Sequence, residues 1–197
     1  MATDSSQVTA VGDRRVQRTR AALLAAAVRL VSERGTTSIA VTDLAEAAGV
    51  SRQVVYLQFG DRDSLLAAAA VELAERELYP LFPDLGADTL RARVLAAARH
   101  LAVHHRFYRA LVTGSCSFAL RTAAIRSFDQ LHRQTPVPIL DALPPRDAAV
   151  AGTFVVGGVM AVIDDWLLAD REREPDPLVL TDRLLALAVT FTGLRRG

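Results

Sequence analysis

The sequence predicts an all-α protein: an N-terminal three-helix head of helix-turn-helix type, followed by a larger helical body. Three observations carry this. Apolar residues recur at three- and four-residue spacing, and Ala and Leu dominate, as on the buried face of a helix. Alternating β-branched segments bounded by hairpin turns are missing. The segment Val41 to Tyr56 also meets the steric demands of two short helices crossing around a tight turn.

Residues 1–13 are polar and read as a flexible arm without the apolar core of a signal peptide. The first helix is expected from about Arg14 to Arg34, with Leu23, Leu24, Ala27, Val28 and Val31 on its apolar stripe. Gly35 stands where a helix C-terminus commonly needs a left-handed residue. Two short helices follow, near Val41–Ala48 and Ser51–Leu57. Gly60 ends them, Asp61 suits the N-cap of a fourth helix, and Pro80 stops that helix. Pro83 and Gly86 mark a loop. The spacing then predicts body helices over Asp88–His105, Arg106–Val112, Ser115–Arg133, Arg146–Ala169 and Pro177–Leu194, about nine helices in all. The division that results is a helix-turn-helix head over residues 1–60 and a helical body over 61–197.

Composition bounds the class. With 197 residues, 51% hydrophobic and 23% charged, the chain can bury a substantial core and is too apolar for disorder. The net charge is +1 and every basic residue is Arg, so a nucleic-acid surface would be a local patch. The lone Cys116 excludes an internal disulfide and a multi-cysteine metal site. A reducing cytoplasm fits. The run Val150–Ile163, closed by Asp164 and Asp165, falls short of the roughly 20 apolar residues a bilayer span requires. A cytoplasmic protein with no membrane partner is expected.

In the Val41–Tyr56 segment, Ala45 is small enough for close helix approach and Gly49 permits a positive φ. Leu44, Val50 and Val55 supply the apolar lock, and Ser51 can cap the second helix. An ordinary helical hairpin would share part of this pattern. The continuation Gly49-Val-Ser-Arg-Gln-Val-Val-Tyr-Leu-Gln-Phe-Gly-Asp-Arg-Asp-Ser-Leu-Leu66 goes further, and it resembles the signature of TetR-family repressors through Tyr56, Phe59, Gly60, Arg62, Leu65 and Leu66. The segments His105–Leu111 and Phe154–Met160, with Trp166, resemble that family's C-terminal helices. Val54, Leu57, Gln58 and Ala40 depart from its common residues, which touches individual phosphate contacts and not the packing positions.

The resemblance implies a double-stranded DNA partner with a near-palindromic operator, a homodimer and a small-molecule effector. Arg52 and Gln53 are the long side chains at the start of the recognition helix, where bases are read. Gln53 is the better base reader, because Arg52 suits a phosphate equally. Val54 can touch a thymine methyl. Tyr56 offers its hydroxyl to a phosphate, or packs only. Thr42 and Ser51 stand at helix starts and suit phosphate oxygens or capping. Arg62 opposes the dipole of its helix, so a phosphate partner would explain it. Eight Arg against six acidic residues over 1–62 leave the head at +2, so tight binding would rely on two heads acting together.

In the body, Val150–Ile163 is apolar all round and carries Gly152, Gly157 and Gly158. A second copy is the economical cover, with Gly157, Gly158 and Val159 at the interface. An effector cavity is expected among Arg99, Phe107, Cys116, Phe118 and Trp166, although core packing explains the aromatic residues equally well. His100 and His104 have a chelating i, i+4 spacing. No carboxylate is evident at a matching position, so solvated or core histidines are expected, with no metal and no cofactor. No nucleophile-and-base set or Gly-rich phosphate loop stands out. The alternatives to a ligand-released repressor are the same fold controlled by a protein partner or by abundance, and a helical enzyme.

Overall fold

The computed structural model describes residues 4–82, 90–134, 144–170 and 173–193. Among them are nine α-helices, one 3-10 turn and no strand, the all-α architecture expected from the spacing of apolar residues. Helix α1 spans Asp4–Arg34. The arm expected over residues 1–13 is therefore helical from Asp4 onward. Gly12 is the poorest helix former there, and a helix already nucleated by its packed half extends at the cost of propagation alone. Residues 1–3 lie outside the described residues.

Leu23, Leu24, Ala27, Leu30 and Val31 are the buried stripe of α1. Gly35 ends the helix at φ 64°, its amide donating to the Val31 carbonyl at 2.8 Å. Helices α2 (Val41–Ala47) and α3 (Arg52–Phe59) follow, then α4 (Arg62–Glu77). The Asp61 carboxylate accepts from the Ser64 backbone N–H at 2.6 Å, the expected N-cap. This bond holds the Asp61 carboxyl below its ordinary value of 3.8. A 3-10 turn at Tyr79–Leu81 absorbs Pro80.

The body comprises α5 (Leu90–Val103), α6 (His105–Thr113), α7 (Ser117–Gln134), α8 (Pro145–Leu168) and α9 (Pro177–Gly193). The expected loop residues Pro83 and Gly86, and the prolines Pro136 and Pro138, lie outside the described residues. Helix α4 packs on α1 and α3 on one side and on α7 and α6 on the other, while α9 packs on α5 and α8. One apolar core runs from Leu23 through Leu44, Val55, Leu66 and Phe107 to Leu180, so head and body share α4 and a continuous interior.

Candidate nucleic-acid interface and body cavity

Helices α2 and α3 are joined by residues 48–51. Gly49 adopts φ 66°, and the Val50 amide bonds back to the Ala45 carbonyl at 2.9 Å. A side chain at that φ is disfavoured, which is why glycine stands there. Leu44, Ala45 and Val55 are buried under the turn. With Val55 fixed inward, the helical period turns Arg52, Gln53, Tyr56 and Leu57 outward, and all four are exposed. Leu57, at 86% exposure, is an apolar side chain on this polar face. Thr42 is exposed in the first turn of α2. Ser51 is exposed at the N-cap of α3, where its side chain makes no capping bond. Val54 is half-buried and packs against the core. Phe59 is covered by the Arg20 guanidinium, 4.5 Å above its ring, a contact between α1 and α3 that sequence spacing does not announce.

Arg62 is placed differently from expectation. Its Nε lies 3.1 Å from Asp63 Oδ1, and its Nη2 donates to Ser115 Oγ at 3.0 Å. Ser115 Oγ in turn donates to the same Asp63 oxygen at 3.1 Å. The charge that opposes the α4 dipole is thus compensated within the protein, and the side chain ties α4 to the turn before α7. The same seam holds Arg106, whose Nη2 donates to the Glu33 carbonyl at 3.2 Å, and Gly114, which sits directly against the buried Thr37.

The body contains a cavity of about 330 Å³. Ala70, Val71 and Ala74 of α4 and Leu78 at its C-cap form one wall, with Leu101 of α5, Leu120 and Phe128 of α7, and Val156, Val159 and Met160 of α8 around it. The polar groups on its lining are few: Tyr79, His100, Tyr108, Ser127 and Asp164. Tyr79 and Ser127 share a hydroxyl hydrogen bond of 2.6 Å. His100 Nε2 and the Tyr108 hydroxyl lie 2.8 Å apart. Burial, and then the neighbouring His104, push the His100 imidazole down to about 4, so it is neutral at physiological pH. Asp164 is ion-paired with Arg121, yet its Oδ1 is buried with no hydrogen-bond partner, and burial raises its carboxyl above the ordinary 3.8.

None of the five residues expected around a cavity lines this one. Phe107 and Cys116 are fully buried in the core, and burial pushes the Cys116 thiol up to about 11. Trp166 is buried, its Nε1 donating to the Asp176 carbonyl at 3.0 Å. Phe118 and Arg99 are exposed. Phe107 and Trp166 are packed into the interior where helices meet, so they fill space and do not border the cavity. Val159, expected on the outer face, is on the cavity wall instead.

The outer face of α8 is apolar and open. Val150 and Phe154 are exposed, and a Cβ added at Gly157 or Gly158 would meet nothing within 4 Å. Leu178, Val179 and Leu187 continue the patch along α9. By length and composition, Arg146–Leu168 passes as a membrane span, and only 11% of its most apolar stretch is buried. A surface of this character needs cover.

The family model described as bacterial regulatory proteins, tetR family, matches residues 23–69, the stretch from mid-α1 into α4. Among curated proteins, the HTH-type transcriptional regulator AcrR of Shigella flexneri is 24% identical over 174 residues, spanning 79% of this chain and 81% of its own. The HTH-type transcriptional regulator AlkX of Mycobacterium tuberculosis is 26% identical over 165 residues, 84% of this chain and 70% of its own. Two solved structures share the fold. The fatty acid degradation regulator FadR from Bacillus halodurans has a TM-score of 0.53 at 18% identity, covering 84% of this chain and 95% of that one. A TetR-like transcriptional regulator from a Rhodococcus species has a TM-score of 0.50 at 24% identity, covering 90% and 96%. These relatives are transcriptional regulators, not enzymes. A helix-turn-helix with an exposed polar α3 face, on a chain whose head matches the tetR family model and which is similar to transcriptional regulators over most of its length, is a DNA-binding transcriptional regulator.

Proposed function

We propose that the chain is a cytoplasmic homodimeric repressor that leaves a near-palindromic operator when a small, largely apolar molecule enters the body cavity. The observation that carries the DNA reading is the exposed Arg52–Gln53–Tyr56 face over the buried Val55. In this reading residues 1–60 form the DNA-binding head and 61–197 the sensing and dimerisation body. Gln53 reads a base edge, and Arg52 reads a guanine or grips a phosphate. Thr42, Ser51 and Tyr56 hold phosphates, while half-buried Val54 reaches no further than a thymine methyl. Arg62 is left out of the set, because Asp63 and Ser115 engage its guanidinium.

A second copy covers the open face of α8 and α9, with Gly157 and Gly158 admitting its helices closely. A cavity of about 330 Å³ sits at the small end of the roughly 300–1,000 Å³ typical of small-molecule sites. Its apolar wall and the unpartnered Asp164 Oδ1 favour a compact hydrophobic effector with one hydrogen-bond donor or cationic end. DNA-site selection on the purified protein tests the first half: enrichment of a two-fold symmetric site is expected, and sites without symmetry, or none, would refute it. Apolar amines and alcohols added to the protein–operator complex test the second. Failure of every such compound to release DNA would instead favour control by a protein partner or by abundance.

A further inference from the structure

We propose that Glu77, His100 and His104 form a binding site for one divalent transition-metal ion of the Zn2+ class, joining the end of α4 to α5. The two histidines stand one turn apart on α5 and the turn after it, and the carboxylate comes from the last residue of α4. His104 Nε2 lies 2.6 Å from Glu77 Oε2, and His100 Nδ1 lies 3.7 Å from the same oxygen. All three ligand atoms fall within 4.8 Å of one another. Tetrahedral zinc with bonds near 2.0–2.1 Å separates its ligand atoms by about 3.3 Å. The three groups bracket that value, so adjustments of about an ångström or less at each would close the site.

The surroundings already orient the ligands as metal sites do. The His100 nitrogen that does not face Glu77, Nε2, is hydrogen-bonded to the Tyr108 hydroxyl at 2.8 Å. With that hydroxyl as acceptor, the proton sits on Nε2 and the Nδ1 lone pair faces the cluster. On the carboxylate, Arg76 Nη2 holds Glu77 Oε1 at 3.1 Å, leaving Oε2 toward both imidazoles. Two imidazoles and a carboxylate suit Zn2+ and its neighbours in the transition series and ill suit Mg2+ or Ca2+, which prefer oxygen. Three protein ligands leave a fourth position for water. The His104 side chain is 21% exposed and that of Glu77 37%, which gives an ion a path from solvent.

The test is titration of untagged, full-length, metal-stripped protein with Zn2+ by calorimetry, and with Co2+ by visible absorption. One ion per chain is expected, with Co2+ bands of low coordination number. His104→Ala and Glu77→Gln should each weaken Zn2+ binding more than tenfold, because loss of an outer-shell partner alone costs about 10–100-fold. Tyr108→Phe, which removes such a partner, should fall within that range. His105→Ala should change nothing, since His105 Nδ1 is turned to the Ala102 carbonyl at 2.8 Å. Circular dichroism of each variant confirms its fold, and His104→Gln replaces any His104 variant that fails. No saturable binding, or binding that survives both ligand variants, overturns the site. DNA binding enters none of these readouts, so failure here is distinct from failure of the repressor reading.

Discussion

Gly114→Ala probes the seam between head and body. Gly114 follows α6 with φ −91° and ψ 177°, extended backbone that alanine adopts freely, so the substitution carries no conformational penalty. The obstacle is steric. An added Cβ would lie 2.1 Å from Thr37 Oγ1, 2.8 Å from Thr37 Cγ2 and 2.9 Å from the Ala110 carbonyl oxygen. Thr37 is only 3% exposed and branched at Cβ, so few rotamers are open to it. Non-bonded carbons settle near 3.5–4.0 Å, so the loop before α2 must withdraw by about an ångström. Overpacking of this kind costs about 1–3 kcal/mol. In a chain of this length each kcal/mol lowers Tm by about 2–4 °C, which places the expected loss at roughly 2–12 °C.

Thermal melts of Gly114→Ala, Thr37→Ala and the double variant provide the assay. Removing Thr37 Oγ1 and Cγ2 clears the two closest contacts and leaves the Ala110 oxygen. The double variant should therefore recover part of the loss, with a coupling of about 0.5–3 kcal/mol. An unchanged Tm for Gly114→Ala, or effects that simply add in the double variant, would refute the packing argument.

Asp61→Ala should lower stability by about 1 kcal/mol through loss of the N-cap, whereas Asp61→Asn should lose far less. Because the folded carboxyl titrates below 3.8, the contribution of its charge is complete above that pH and disappears as pH falls through the lowered value; a gap between Asp61→Ala and parent melts that widens in acid would contradict this. Gln53→Ala should cost about 1–3 kcal/mol at one base position and relax preference there. Arg62→Ala should leave base preference and salt dependence alone while lowering Tm; operator titrations across a salt series check both, and a flattened salt slope for Arg62→Ala would restore that residue to the DNA surface. Gly158→Glu should yield a folded monomer by sedimentation, since it removes a helix-interior glycine at no steric cost within one chain, and an intact dimer would count against the α8–α9 interface.

The head was legible because a helix-turn-helix makes a separate demand at almost every position. Ala45, Gly49, Val50 and Val55 each answer one, and the structure places each as the demand requires. The body offered no such local code. Its cavity is a shortfall of packing where α4, α5, α7 and α8 cross, and no periodicity records a crossing angle. Arg62 shows a different limit. Its clash with the helix dipole was visible, and Asp63 is its neighbour in sequence, but Ser115, which completes the engagement of its guanidinium, lies 53 residues away and is brought close only by tertiary folding. Glu77 escaped for the same reason: it completes a histidine pair whose spacing was plain, from a helix whose end meets α5 only in three dimensions.

Helix α4 is the element through which the proposed effector would act. Its inner face contributes Leu65, Leu66, Ala69 and Leu73 to the shared core, and Ala70, Val71 and Ala74, with Leu78 at its C-cap, form part of the cavity wall. From Ala74 to Arg62, at the seam with the head, is twelve residues, about 18 Å of continuous helix. A helix packed on both sides moves as a unit between discrete positions rather than bending. In that proposal, an effector larger than the resting cavity would displace α4, and with it the packing of the three-helix head that aims the recognition helix. A bulky side chain on the cavity face of α4 should mimic that push. Ala74→Phe is expected to lower operator affinity severalfold in binding titrations without altering which bases are preferred, because the reading face on α3 is untouched. If Ala74→Phe binds the operator as the parent does while its Tm shows that the ring has entered the cavity, the coupling does not run through α4.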